Sequence, residues 1–126
     1  MMLEQGEVWT APFPFYNNGG ELQDKRRPTL IVSKDGINAK NIDVIVCQVS
    51  RHEQRRVLRL PKELRDKIII ITPSDIISEG GLRNISIIKP FNLYTIPKRI
   101  LIRGNYIGRL CDEKLQNLLN IIHDLF

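Results

Sequence analysis

Cysteine and histidine are scarce in this 126-residue chain, with two of each. Cys47 and Cys111 lie far apart in apolar surroundings, and neither belongs to a CxxC pair. That spacing argues against a disulfide framework or a zinc knuckle and reads as free thiols in a reducing compartment. No cluster of metal-ligating residues is evident, so neither a metal nor another cofactor is expected. Long apolar runs are missing too: none approaches the roughly 20 residues of a membrane helix. Met1–Glu7 lacks the apolar core of a secretion signal. A cytoplasmic chain without membrane association is the expectation. With no repeat, low-complexity tract or composition break, the length suits one domain over 1–126.

What is present is a 42% hydrophobic chain, enough for a real core, with 19 basic against 14 acidic residues and a net charge of +5. The bias leans toward a polyanion such as nucleic acid, although charge alone describes many soluble proteins equally well. Basic residues gather at Lys25-Arg26-Arg27, at Arg51 with Arg55, Arg56 and Arg59, and at Lys98-Arg99 with Arg103.

The apolar pattern predicts many short strands. Glu7–Ala11 alternates as a first strand, which Pro12-Phe13-Pro14-Phe15 ends, and Tyr16–Arg26 reads as a long loop. Thr29–Ser33 is the second strand, Lys34–Lys40 a turn, and Ile42–Val49 a nearly continuous apolar strand suited to the middle of a sheet. Arg55–Leu60 alternates weakly. Lys67–Ile71 is β-branched and predicts a strand. Thr72-Pro73-Ser74-Asp75 has the form of a capping box that opens a short helix ending at Gly80-Gly81. Asn84–Lys89, Leu93–Ile96 and Ile100–Arg103 read as further strands. Asp112 caps a last helix whose Leu115, Leu118, Leu119, Ile122 and Phe126 form one apolar stripe. The fold class is therefore mainly β (β-rich α+β), a small curled sheet or barrel with the last helix packed on it.

Arg27-Pro28 stands out within this pattern. The arginine sits where the charged loop meets an apolar strand, and the fixed φ of Pro28 holds it at a defined angle. A positioned guanidinium invites an anion, and phosphate is the natural one.

Several short motifs occur in one order along the chain: Gly6-Glu7-Val8-Trp9, Pro12-Phe13-Pro14-Phe15, Arg27-Pro28-Thr29-Leu30-Ile31-Val32-Ser33, Val46-Cys47-Gln48-Val49-Ser50-Arg51, Gly81-Leu82, Thr95-Ile96 and Gly108-Arg109-Leu110. In this order and over the whole length, the chain resembles the MazF/PemK-like toxins of type II toxin–antitoxin systems. The resemblance implies an SH3-like small β-barrel with a short internal helix and a C-terminal helix. It also implies a metal-independent, sequence-specific endoribonuclease acting on single-stranded RNA. In that chemistry the 2′-hydroxyl attacks the adjacent phosphate, giving 2′,3′-cyclic phosphate and 5′-hydroxyl ends. A cognate antitoxin protein and a homodimer follow from the same resemblance.

The resemblance makes Arg27 the family's essential arginine, set against the scissile phosphate, and places Ser50 where the family has a catalytic threonine. Serine keeps the hydroxyl and loses the methyl that helps fix it. Phe15, Tyr16, Lys25, Arg26, Arg51 and His52 form the expected substrate-binding set, with basic side chains on phosphates and an aromatic under a base. His52 also has the pKa range for acid–base work, while a solvated loop histidine is the plainer reading. The stretch Ile87–Asn92 lacks the acid that some related toxins carry there. The alternative function is a weakened or inactive homologue that binds a protein or nucleic acid, as a gyrase-poisoning toxin family of this fold does. An SH3-like RNA-binding protein of the translation machinery would explain the charge but not Arg27-Pro28 with the remaining ordered motifs.

Overall fold

The computed structural model describes residues 3–16, 19–77 and 81–126, without the side chains of 13–16 and 23–25. In chain order the elements are β1 (Glu7–Tyr16), β2 (Leu22–Ile31), α1 (Asp35–Lys40), β3 (Asp43–Arg51), α2 (Gln54–Leu58), α3 (Lys62–Arg65) and β4 (Ile69–Ile71). A 3₁₀ turn (Pro73–Asp75), β5 (Ile76–Ile77), β6 (Ser86–Pro97), α4 (Lys98–Ile102), β7 (Tyr106–Leu110) and α5 (Asp112–Leu125) follow. The strands form one curled antiparallel sheet in the order β4-β6-β3-β2-β1-β7-β5.

The central strands bury both faces. Val8, Leu30, Cys47 and Ile88 belong to one core cluster with Leu110, Leu115 and Leu118, whereas Trp9, Ile31 and Val46 belong to a second with Leu3 and Leu101. Successive residues of a strand point to opposite sides, so adjacent apolar residues feed both clusters. This accounts for the unbroken apolar run in β3. The helix α5 lays Leu115 and Leu118 on the first cluster, with Leu119 and Ile122 partly buried beside them. The β-rich barrel-like sheet with a packed C-terminal helix agrees with the expected fold class.

Several local expectations are corrected. Tyr16–Arg26 is largely strand: β1 runs through Pro12 and Pro14, and β2 starts at Leu22, giving a long hairpin with Tyr16 opposite Leu22. The prolines are tolerated for a reason of parity. The Thr10 N–H donates outward to Asn105 O, so the nitrogens of Pro12 and Pro14 face that same side, beyond the last β7 pairing at Trp9–Tyr106. Charged residues dominate Asp24–Arg27, so this arm of the hairpin carries no apolar period in the sequence. Arg27-Pro28 thus lies inside β2 rather than at a loop junction.

The two strands expected at Asn84–Lys89 and Leu93–Ile96 are one strand, β6. The break between them is a bulge: Val49 pairs with Ile88 and Cys47 with Leu93, and Pro90 falls in the unpaired stretch. Ile100–Arg103, expected as a strand, lies mostly in α4, and Arg55–Leu60 lies mostly in α2. A short apolar run has no periodicity with which to distinguish strand from helix. Lys34–Lys40 contains α1 rather than a plain turn. The Thr72/Asp75 capping box is present, but the turn it opens is three residues long and leads into β5. Gly80 lies outside the described residues. β7 was not anticipated as a strand.

The short helix α1 carries a buried polar junction. Asn38 Nδ2 donates to Leu3 O at 3.1 Å and Ser33 O at 2.9 Å, its Oδ1 accepts from Ser33 Oγ at 2.5 Å, and its backbone carbonyl accepts from Lys98 Nζ at 2.6 Å. Asn38 is 1% exposed. Replacing it with leucine would strand two carbonyls and a hydroxyl in the interior. Asn38→Leu is therefore expected to destabilise the fold by roughly 2–3 kcal/mol, read from the urea unfolding midpoint at unchanged slope.

Candidate functional site

Pro28 opens the sheet. The Val32 N–H donates to Ile45 O on β3, and alternate residues of a strand share one side, so the nitrogen of Pro28 also faces β3. Proline has no hydrogen to donate there. The β2–β3 pairing stops one residue earlier, at Thr29–Gln48. Where the two strands part, a cleft of about 310 Å³ is lined by Pro28, Val49 and Ile107, by Arg26, Arg27 and Arg51, and by Gly81–Asn84 with Ser86.

The cleft is cationic and carries an apolar floor. Arg26, Arg51 and Arg83 are exposed and Arg27 is partly buried. Among the described residues none of the four guanidiniums takes part in an ion pair or side-chain hydrogen bond, and the ion pairs present lie elsewhere. Val49 belongs to the first core cluster, and Leu82 and Ile107 pack against it. Among the described residues no carboxylate lines the opening. Four uncompensated guanidiniums above an apolar floor suit a ligand with phosphates and a flat apolar face.

Of the expected site residues, Arg26, Arg27 and Arg51 come together in this cleft. Ser50 does not line it. Val49 and Arg51 flank Ser50 on the strand and face the cleft, so alternation turns Ser50 to the other face. Arg27 stands on that other face by register as well: its β1 partner is Ala11, a member of the second cluster. Continued two residues beyond Thr29–Gln48, the β2–β3 register sets Arg27 opposite Ser50. Arg27 therefore sits at the seam, bordering the cleft while sharing a face with Ser50. His52 is half-buried and outside the lining, and its N–H donates to Ile85 O at 3.0 Å. The side chains of Phe15, Tyr16 and Lys25 lie outside the described residues.

Sequence reasoning missed Arg83, Asn84 and Ser86, all of which line the cleft. The only signal near them was the Gly81-Leu82 motif, and nothing local tells which side of a β-strand entry will meet Arg51. Cys47, one strand step from Val49, is fully buried, and burial pushes its thiol up to about 12. A thiol held protonated and out of solvent is a poor nucleophile. Among the described residues no group of three or more His, Cys, Asp or Glu side chains could hold a metal ion. No helix there is long and apolar enough to cross a membrane.

A family model described as the PemK-like, MazF-like toxin of type II toxin–antitoxin systems matches residues 4–126. No curated protein sequence matches the chain. Among solved structures, the fold is similar to an endoribonuclease from a mycobacterial species, with a TM-score of 0.67 at 18% identity over 98% of this chain and 90% of the other. It is similar to a mycobacterial endoribonuclease in complex with its cognate antitoxin, with a TM-score of 0.65 at 17% identity over 98% of this chain and 91% of the other. A MazE–MazF structure from Deinococcus radiodurans gives 0.63 at 14% identity over 99% of this chain and 95% of that one.

Proposed function

Since the chain belongs to the PemK-like, MazF-like toxin family of type II toxin–antitoxin systems, we propose that it is a toxin that cleaves single-stranded RNA without a metal ion. The observation that carries this reading is the cleft at the β2–β3 parting, where Arg27 stands beside three further guanidiniums with no intramolecular partner among the described residues. The RNA supplies its own nucleophile. Its 2′-hydroxyl gives up its proton to solvent as the 2′-oxygen bonds to the adjacent phosphorus, the P–O5′ bond breaks, and the departing 5′-oxygen takes a proton from solvent. The products are a 2′,3′-cyclic phosphate and a 5′-hydroxyl.

The protein's part is to stabilise charge that builds on the non-bridging oxygens. Arg27 presents two parallel donors to those oxygens, and Ser50, across the strand pair, donates one more. Arg26 and Arg51 hold neighbouring phosphates. Phe15, Tyr16, Lys25 and His52 extend the strand's path. A second copy of the chain completes the RNA channel as a homodimer, and an antitoxin covers the same cationic cleft with acidic side chains. The protein acts in the cytoplasm.

The test is incubation of a defined single-stranded RNA with the protein, with and without excess chelator. Cutting that survives chelation and yields cyclic-phosphate ends supports the proposal; cutting abolished by chelator sinks the mechanism. Binding to a non-cleavable 2′-O-methyl RNA should also weaken steeply with salt. If the four cleft arginines each neutralise one phosphate, log affinity falls with a slope of about −3 against log salt, roughly 50-fold between about 50 and 200 mM. A flat response would remove the cleft as an RNA track.

The position of Ser50 outside the cleft lining favours one second reading, a binding module that poisons a protein target. Growth arrest on expression with total RNA left intact would select it over the ribonuclease.

A further inference from the structure

The cleft lining is completed by Gly81–Asn84 with Ser86, and the backbone of this stretch is tied down. Ser86 Oγ donates to Asn84 O at 3.1 Å, Ile85 O accepts from His52 N–H at 3.0 Å, and Ser86 is paired on both sides, with Arg51 and with Ile71. Gly81 packs so closely on β5 that a Cβ there would stand 3.3 Å from Ile76 Cγ2. Two exposed polar side chains, Arg83 and Asn84, thus stand on fixed backbone and border the cleft. Among the described residues, neither side chain has an intramolecular hydrogen bond or ion pair.

Their chemistry goes beyond charge. A carboxamide presents a donor and an acceptor side by side, which matches the edge of an unpaired base. Val49, Leu82 and Ile107 offer the apolar floor on which a base face rests. At about 310 Å³ the space is at the small end of ligand sites, which run from about 300 to 1,000 Å³, and suits one nucleotide. An acidic peptide would engage the guanidiniums but leave the carboxamide and the floor unused.

Building on the ribonuclease reading, we infer that this cleft is a subsite for one unpaired nucleotide beside the cut, in which Asn84 reads the base edge and Arg83 holds its phosphate. Asn84 then sets where the RNA is cut, while Arg27 serves the cutting itself.

The experiment uses the full chain, a single-stranded RNA pool of degenerate sequence, and sequencing of the cut ends. Asn84→Asp exchanges the amide donor for an acceptor, so the preferred base at one position beside the cut should change, by roughly 5- to 150-fold in relative cutting. Arg83→Ala should keep the base preference, weaken binding of a 2′-O-methyl RNA, and lower the salt slope by about 1. A cut-site profile for Asn84→Asp that superimposes on wild type overturns the subsite. So does strong binding of a polyglutamate peptide that depends on Arg83 together with base-independent RNA binding. If the wild type cuts no RNA, the ribonuclease reading falls, and the subsite is decided by binding of the four 2′-O-methyl homopolymers. An order of preference shared by wild type and Asn84→Asp overturns it; an altered order upholds it.

Discussion

Arg27→Ala is expected to lower the rate of RNA cleavage by about 10²–10³-fold, the usual cost of removing one preorganised donor from a developing oxyanion. The thermal midpoint should stay close to wild type, because the side chain is partly exposed and takes no part in an ion pair among the described residues. Single-turnover rates at saturating RNA separate this loss from weaker binding. Arg27→Lys keeps the charge but not the planar fork, so its rate should recover only in part. Arg26→Ala and Arg51→Ala should raise the RNA concentration needed for half-maximal rate more than they lower the rate itself, since both sit on the opposite strand face from Arg27. Equal single-turnover rates for wild type and Arg27→Ala would remove Arg27 from the chemistry.

The reason for expecting so large an effect lies in the place of Arg27 at the seam. Pro28 withholds a donor from β3, the strands part, and the residue next to the parting is held by its β1 pairing with Ala11. A guanidinium on a paired strand beside a break in the sheet is both fixed and accessible. Pro28→Ala restores an N–H toward β3 but leaves the rest of the geometry to choose whether to close, which makes the arginine variant the cleaner measurement.

Gly104→Ala should be strongly destabilising. A Cβ at Gly104 would lie 2.0 Å from Thr10 O and 3.0 Å from its carbonyl carbon. Those are backbone atoms of β1, and they cannot swing aside as a side chain can. Thr10 is also clamped there, its N–H donating to Asn105 O at 2.9 Å and its Oγ1 accepting from Asn105 N–H at 2.8 Å. The added methyl must therefore push the α4–β7 connection off β1. The cost is expected at about 3 kcal/mol or more, a large part of a typical stability of about 5–15 kcal/mol, with a fall in thermal midpoint on the order of 10 °C. Gly36→Ala is the control. It lies in α1 with nothing within 4 Å of the added Cβ, so its midpoint should hold or rise slightly. A Gly104→Ala protein as stable as Gly36→Ala would show that the connection yields without cost.

The chain's own order of motifs was enough to reach the family and the fold class, because those depend on local chemistry repeated in a fixed succession. The helical stripe from Leu115 to Ile122, the β-branched run before Thr72, and the Thr72/Asp75 box each declare themselves within a turn or two of backbone. Arg27 could be singled out for the same reason, as an arginine directly before a proline; its place in the lining of a cleft could not. Tertiary structure alone decided what Pro28 does, since its missing donor matters only because β3 lies on that side. It alone brought Arg83 and Asn84, more than fifty residues along the chain from Arg27, to the same cleft, through the pairing of Ser86 with Arg51. It also separated Ser50 from Arg51, adjacent in sequence but on opposite faces of one strand. Periodicity records which residues alternate; which face of the strand meets the ligand is set by the partners that close over the other.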